Sequence, residues 1–211
     1  MESKILSRRD LDFLLYEWLD VEALTGRARY ADHSRETFDA ALDTAERIAT
    51  DLFAPHNRLS DAHEPSFDGE TVTIIPEVKR ALDAYAAAGL IAAGHDYDLG
   101  GMQLPCVVEK ALTAWCTAAN VATSAYLFLT IGNANTLLKC ATPRQIAQFV
   151  VPLLEGKFFG TMALSEPQAG SSLSDITTRA EPDAVDGLDG ARQYRLFGNK
   201  MWISAGEHDL A

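Results

Sequence analysis

The sequence predicts an α+β protein: an N-terminal all-α domain followed by the first strands of an antiparallel β region. Two observations carry this. Apolar residues recur at helical spacing in one stretch after another up to about residue 157. Beyond Gly156 that periodicity stops, and short runs at 158–164, 176–180, 193–197 and 200–204 replace it. These strands are too few to close a barrel or a sandwich. The expected division is an N-terminal extension helix over 1–33, a helical domain over 34–157 and an incomplete β domain over 158–211.

The elements follow in order. Leu11, Leu14, Leu15, Trp18 and Leu19 recur at i, i+3, i+4, i+7 and i+8, one face of a helix with Asp10 as its N-cap. Ser34 caps a second helix whose stripe is Phe38, Leu42, Ala45, Ile48, Leu52 and Phe53, and Pro55 is expected to end it. Residues 56–73 are polar and read as a loop or a small hairpin. His56 and His63 lie there without further ligands at metal spacing, so no metal site is expected. Pro76 suits the first turn of a third helix with Val78, Ala81, Leu82 and Tyr85 inward and Gly89 as its stop. A fourth helix after Pro105 carries Val108, Ala111, Leu112 and Trp115 inward.

Residues 121–140 are apolar nearly all round, the pattern of a helix buried in a bundle. Thr142-Pro143-Arg144-Gln145 is a capping box with proline at the first helical position. It starts a helix bearing Ile146, Phe149, Val150 and Leu153 that ends near Gly156. Residues 181–192 are acidic and turn-rich, a hairpin loop by composition.

The totals exclude several functions. The chain has 211 residues, 47% of them apolar, enough for a sizeable core. Lys and Arg number 18 against 30 Asp and Glu, a net charge of −12, which disfavours nucleic acid and anionic lipid as partners. Cys106, Cys116 and Cys140 show no metal spacing and fit reduced thiols in a cytoplasmic protein. There is no signal-peptide core at the N-terminus, and no apolar run reaches the roughly 20 residues of a membrane helix. A phosphate loop of the form G-x-x-x-x-G-K-[ST] is absent.

The stretch 160–171, GTMALSEPQAGS, joins a short apolar run to a turn of hydroxyls, small residues and Pro167. Such a loop can lie along a flat cofactor and offer N–H and O–H groups. Read alone, it is equally a strand end with a surface turn. A second stretch, YRLFGNKMWISAGEHDL, follows about thirty residues later. Together they closely resemble the acyl-CoA dehydrogenase family, which carries [TS]-E-P-x-A-G-S followed by G-x-K-x-[WFY]-I-[ST]. The stretches LLYEWLDVEAL, LFAPHNRLSD, the LGG loop and TPRQIAQFVVPLLEGKFF match as well, so the resemblance covers essentially the whole chain. The long start before Ser34 is similar to the branch that includes methylthiopropionyl-CoA dehydrogenases.

The resemblance implies a fold of helical domain, middle β domain and C-terminal helical bundle, with FAD and acyl-CoA where the three meet. It implies that a glutamate takes the α-proton while the β-hydride passes to flavin N5, giving the trans-2-enoyl-CoA of fatty acid β-oxidation. That glutamate is expected beyond Ala211, so the resemblance nominates no catalytic residue here. It places Met162, Ala163, Leu164 and Ser165 against the isoalloxazine, with backbone N–H groups and the Ser165 hydroxyl on its polar edge. Ser171 would reach the FAD pyrophosphate or the pantetheine of the substrate. Trp202 would wall the ring, and Ile203 and Ser204 would contact it near N5. Without the resemblance Trp202 could be ordinary core and Ser204 a strand residue bonded to its neighbours; Glu166 reads as a structural turn carboxylate. Two departures stand out: Ser172 replaces the usual Asp, and Gly100-Gly101-Met102-Gln103 replaces GGxG. The implied partners are an electron-transfer flavoprotein as acceptor and further copies of the chain in a homo-oligomer. The alternatives are a flavin-binding remnant without activity and an acyl-CoA oxidase relative.

Overall fold

The computed structural model describes residues 3–186, 192–206 and 210. It forms two compact units, one built on the chain up to Gly160 together with Leu210, the other on Thr161–Gly206.

The first unit is helical. A short helix α1 (Arg8–Asp12) leads into a wide π-turn (Phe13–Trp18). Ser7 caps it, its hydroxyl accepting from the Asp10 N–H at 3.2 Å, so Asp10 is the acidic residue of the first turn and not the cap. Leu11 and Leu15 are buried, but Leu14, Trp18 (69% exposed) and Leu19 face solvent. The π-turn explains this departure from the expected stripe: extra backbone per turn rotates later side chains off the face that a 3.6-residue period would keep. Arg8 clamps this arm to the next helix through Asp39 and Asp43, at 3.0 and 2.6 Å.

Helix α2 (Arg35–Ile48) begins at a capping box in which Ser34 and Thr37 satisfy each other's backbone. It buries Phe38, Leu42, Ala45 and Ile48. Pro55 does not end the run. A π-turn (Ala49–Phe53) and a tight turn (Ala54–His56) carry the chain past the missing N–H into α3 (Asn57–Ala62). The expected small hairpin is β1 (Ser66–Phe67) paired antiparallel with β2 (Val72–Thr73). Helix α4 (Pro76–Ala87) buries Val78, Ala81, Leu82 and Tyr85, and Gly89 follows with φ 71. Helix α5 (Cys106–Ala119) buries the four residues expected of it, and Trp115 is among the largest side chains in the core.

Helix α6 (Val121–Cys140) has the expected length but not the expected burial. Thr123, Ser124 and Thr130 are inside, while Val121 and Phe128 (59% exposed) are outside. The hydroxyls can be buried because each is satisfied close by. Ser124 and Thr130 donate to carbonyls one turn back, at 2.5 and 2.6 Å. The box Thr142–Gln145 starts α7 (Pro143–Gln145) as expected, and the chain continues through a π-turn (Ile146–Val150) into α8 (Val151–Leu154). In the loop before α5, Gln103 takes φ 52, the left-handed region where the GGxG pattern has glycine.

The second unit holds an antiparallel pair, β3 (Arg179–Asp186) and β4 (Arg192–Phe197), with an irregularity between Pro182 and Asp186. Strand β3 thus extends well into the stretch expected to be loop; residues 187–191 lie outside the described residues. The run 158–164 is not a strand. It contributes one bridge, Met162 to Ser204.

Candidate functional site

Two segments of the Thr161–Gly206 unit lie side by side. Met162 pairs antiparallel with Ser204, and the Met201 N–H donates to the Ser165 carbonyl at 3.0 Å. Between these two contacts run Ala163 and Leu164 on one segment and Trp202 and Ile203 on the other. The Thr161 hydroxyl donates to the Ser204 carbonyl and closes one end. Trp202 takes φ 59 and Ala205 φ 52, conformations that cost a side chain about 1–2 kcal/mol each. Trp202 is 83% exposed, so it is not core.

Met162, Leu164, Met201 and Ile203 are exposed beside it, and Ser165 is half-buried. Of the residues expected at a cofactor, Met162, Ala163, Leu164, Ser165, Trp202, Ile203 and Ser204 come together. Ser171 follows along the chain, beyond the turn in which Glu166 and Ala169 exchange two backbone bonds, at 2.8 and 3.0 Å.

The residue whose importance the sequence reading understated is Glu166. Its side chain is 1% exposed and accepts from six donors. Oε1 takes the Thr178 N–H at 2.9 Å, the Thr178 hydroxyl at 2.5 Å and the Lys200 ammonium at 2.8 Å. Oε2 takes the Thr177 N–H at 2.8 Å, the Thr177 hydroxyl at 2.9 Å and the Gln168 amide at 2.7 Å. The Lys200 ammonium beside it, then the Thr178 hydroxyl and the Thr177 N–H, hold its carboxyl far below the usual carboxylate range. Lys200 also donates to the Leu164 carbonyl at 2.9 Å. Gly198 completes the packing, since a Cβ there would fall on the Thr178 side chain. The Glu of the first motif and the Gly and Lys of the second thus meet in one polar knot around a buried carboxylate.

The helical unit holds a cavity of about 220 Å³ between α5 and α6, lined by Lys110, Thr113, Thr117, Ser124 and Phe128 among others. Among the described residues no helix is long and apolar enough to cross a membrane. None of them form a cluster of three or more His, Cys, Asp or Glu fit for a metal ion.

No protein-family profile matches the chain. It is 30% identical to a butyryl-CoA dehydrogenase of Syntrophomonas wolfei over 100% of its length and 34% of the relative's. It is 32% identical to the 3-methylmercaptopropionyl-CoA dehydrogenase of Ruegeria pomeroyi over 96% of its length and 34% of that protein's. In fold it is similar to the butyryl-CoA dehydrogenase of Megasphaera elsdenii, with a TM-score of 0.66 at 22% identity, covering 82% of this chain and 42% of that one. An acyl-CoA dehydrogenase from Bacillus anthracis complexed with FAD gives a TM-score of 0.66 at 22% identity, covering 85% and 28%. The chain spans about a third of the length of the curated relatives it matches, and it belongs to the acyl-CoA dehydrogenase family.

Proposed function

We propose that the intact protein oxidises an acyl-CoA thioester to the trans-2-enoyl-CoA with FAD as its cofactor. The observation that carries this is the pair of backbone contacts, Met162 with Ser204 and Met201 with Ser165, that brings the two motifs together and leaves Trp202 exposed. The residues fit a flavin. Met162, Leu164, Trp202 and Ile203 are exposed apolar side chains on the two joined segments, of the kind a flat ring packs against, Ser165 supplies a polar edge, and a Cβ at Gly170 would meet nothing within 4 Å.

FAD, when bound, supplies the hydride-accepting chemistry. This chain's residues bind and orient it. The Ser165 hydroxyl and neighbouring backbone N–H groups hold the ring's polar edge, where preformed donors need no rearrangement to meet developing charge. Met162, Leu164, Trp202 and Ile203 exclude water from the ring, with Ser204 beside them. Ser171 reaches the pyrophosphate or the pantetheine. An electron-transferring flavoprotein is the acceptor; one solved neighbour, at a TM-score of 0.66, comes from work on the electron transferring flavoprotein of Acidaminococcus fermentans. The working form is a homo-oligomer in the cytoplasm.

The test is anaerobic mixing of the intact flavin-loaded protein with acyl-CoA thioesters of graded length. Bleaching of the oxidised-flavin band by at least one of them is expected. A spectrum that no thioester changes would refute the activity. Peroxide release in air would move the assignment to an oxidase.

A further inference from the structure

We propose that the Glu166–Lys200 ion pair is a positioning device for the flavin cradle: it holds the Leu164–Ser165 peptide so that the Ser165 N–H is aimed away from the pair, toward the ring's polar edge. The inference rests on the flavin reading above.

The geometry runs through one peptide group. The Lys200 ammonium donates to the Leu164 carbonyl at 2.9 Å and to Glu166 at 2.8 Å. In a planar trans peptide the carbonyl and the following N–H point in opposite directions. Fixing the Leu164 carbonyl toward Lys200 therefore fixes the Ser165 N–H on the other side. Lys200 in turn is fixed, because its partner carboxylate is held by Gln168, Thr177 and Thr178. The next residue, Met201, returns its N–H to the Ser165 carbonyl, so both sides of the same residue are held.

Stability alone does not account for this arrangement. A buried ion pair is often no more stabilising than an apolar replacement of similar volume. Directional placement of donors is what an apolar replacement would lose, and binding sites need such donors locked by a supporting shell.

The experiment compares the intact protein with Lys200→Met, with the double variant Glu166→Gln/Lys200→Met, which leaves no lone buried charge, and with Arg195→Met, which removes an exposed pair to Asp183 in the same unit. Folding is followed by circular dichroism, FAD affinity by absorbance titration, and the bound flavin's midpoint potential by dye equilibration. The first two variants are expected to bind FAD at least tenfold more weakly. The potential should fall by about 30 mV or more, the equivalent of the reduced flavin losing about ten times more affinity than the oxidised flavin loses. Arg195→Met should match the unmodified protein in both. A folded double variant with unchanged affinity and potential overturns the inference and leaves the flavin reading standing. Failure of the unmodified protein to bind FAD overturns the flavin reading and this inference with it.

Hydrogen exchange on the unmodified protein covers the case in which the variants do not fold. Peptides over 176–180 should exchange slowly with or without FAD, and those over 163–166 should slow only when FAD is added. Fast exchange over 176–180 until FAD arrives would contradict a preformed lock.

Discussion

The Met201 N–H donates to the Ser165 carbonyl at 3.0 Å, and this bond joins the two motifs into one surface. Glu166 and Lys200 lie immediately beside the two bonded residues in sequence and are themselves paired at 2.8 Å. The candidate site and its support are therefore parts of a single piece of backbone.

Gly198 is the tightest point of that support. A Cβ there would overlap Thr178, whose N–H and hydroxyl both serve Glu166. Gly198→Ala should destabilise the Thr161–Gly206 unit by about 1–3 kcal/mol, the usual range for overpacking. Limited proteolysis within that unit is the measurement. It should speed up while cleavage within the helical unit stays unchanged.

Acid should weaken the same knot, and the sign follows from the direction of the shift. In the fold the Glu166 carboxyl is held well below its ordinary value, whereas the unfolded chain titrates near about 4.3. The stabilisation is complete above that ordinary value. It is lost as pH falls below it, because the unfolded state binds a proton that the native state refuses. Urea midpoints between pH 7 and pH 3 should therefore decline more steeply below pH 5 for the unmodified protein than for Glu166→Gln. Equal slopes would contradict the assignment.

His56 tests the helical unit. Its Nδ1 lies 2.6 Å from the Leu52 carbonyl, so that nitrogen carries the proton and donates. Its Nε2 then accepts from the Thr123 hydroxyl at 2.8 Å. The whole group is buried. Thr123→Val keeps the shape and leaves Nε2 unpartnered, which should cost about 1–3 kcal/mol in a denaturation experiment. A loss below about 0.5 kcal/mol would argue against the bond.

The thiols separate by burial. Cys106 and Cys140 are exposed, whereas burial pushes the Cys116 thiol up to about 12. Since the thiolate is the reactive form, iodoacetamide at pH 8 should label Cys106 and Cys140 in the folded protein. Cys116 should react only in denaturant, as mass spectrometry of the peptides would show.

Much of the fold was legible because local chemistry specified it. Ser34 and Thr142 cap as read, Pro76 opens α4, and Gly89 follows its end. The π-turns are not legible: they change the winding of the backbone without changing which residues are apolar, so a 3.6-residue period places Leu14, Trp18 and Leu19 on a face they do not occupy. Helix α6 misled for a different reason. Two of its buried hydroxyls, Ser124 and Thr130, satisfy themselves on carbonyls one turn back, and the third, Thr123, on His56, which allows them inside. In the site, the motifs fixed which residues meet. They did not reveal Glu166 as its anchor, because its partners stand 11, 12 and 34 positions away. A paired Thr177-Thr178 and a lysine inside the second motif were the available signals.

The measurement that bears most directly on the central claim is an FAD absorbance titration of the intact protein beside its Trp202→Ala variant. Trp202 is exposed, so its loss should leave folding stability within about 0.5 kcal/mol. The account predicts stoichiometric FAD binding by the unmodified protein and clearly weaker retention by the variant. Equal retention by both would contradict a flavin lying against Trp202 on the paired segments.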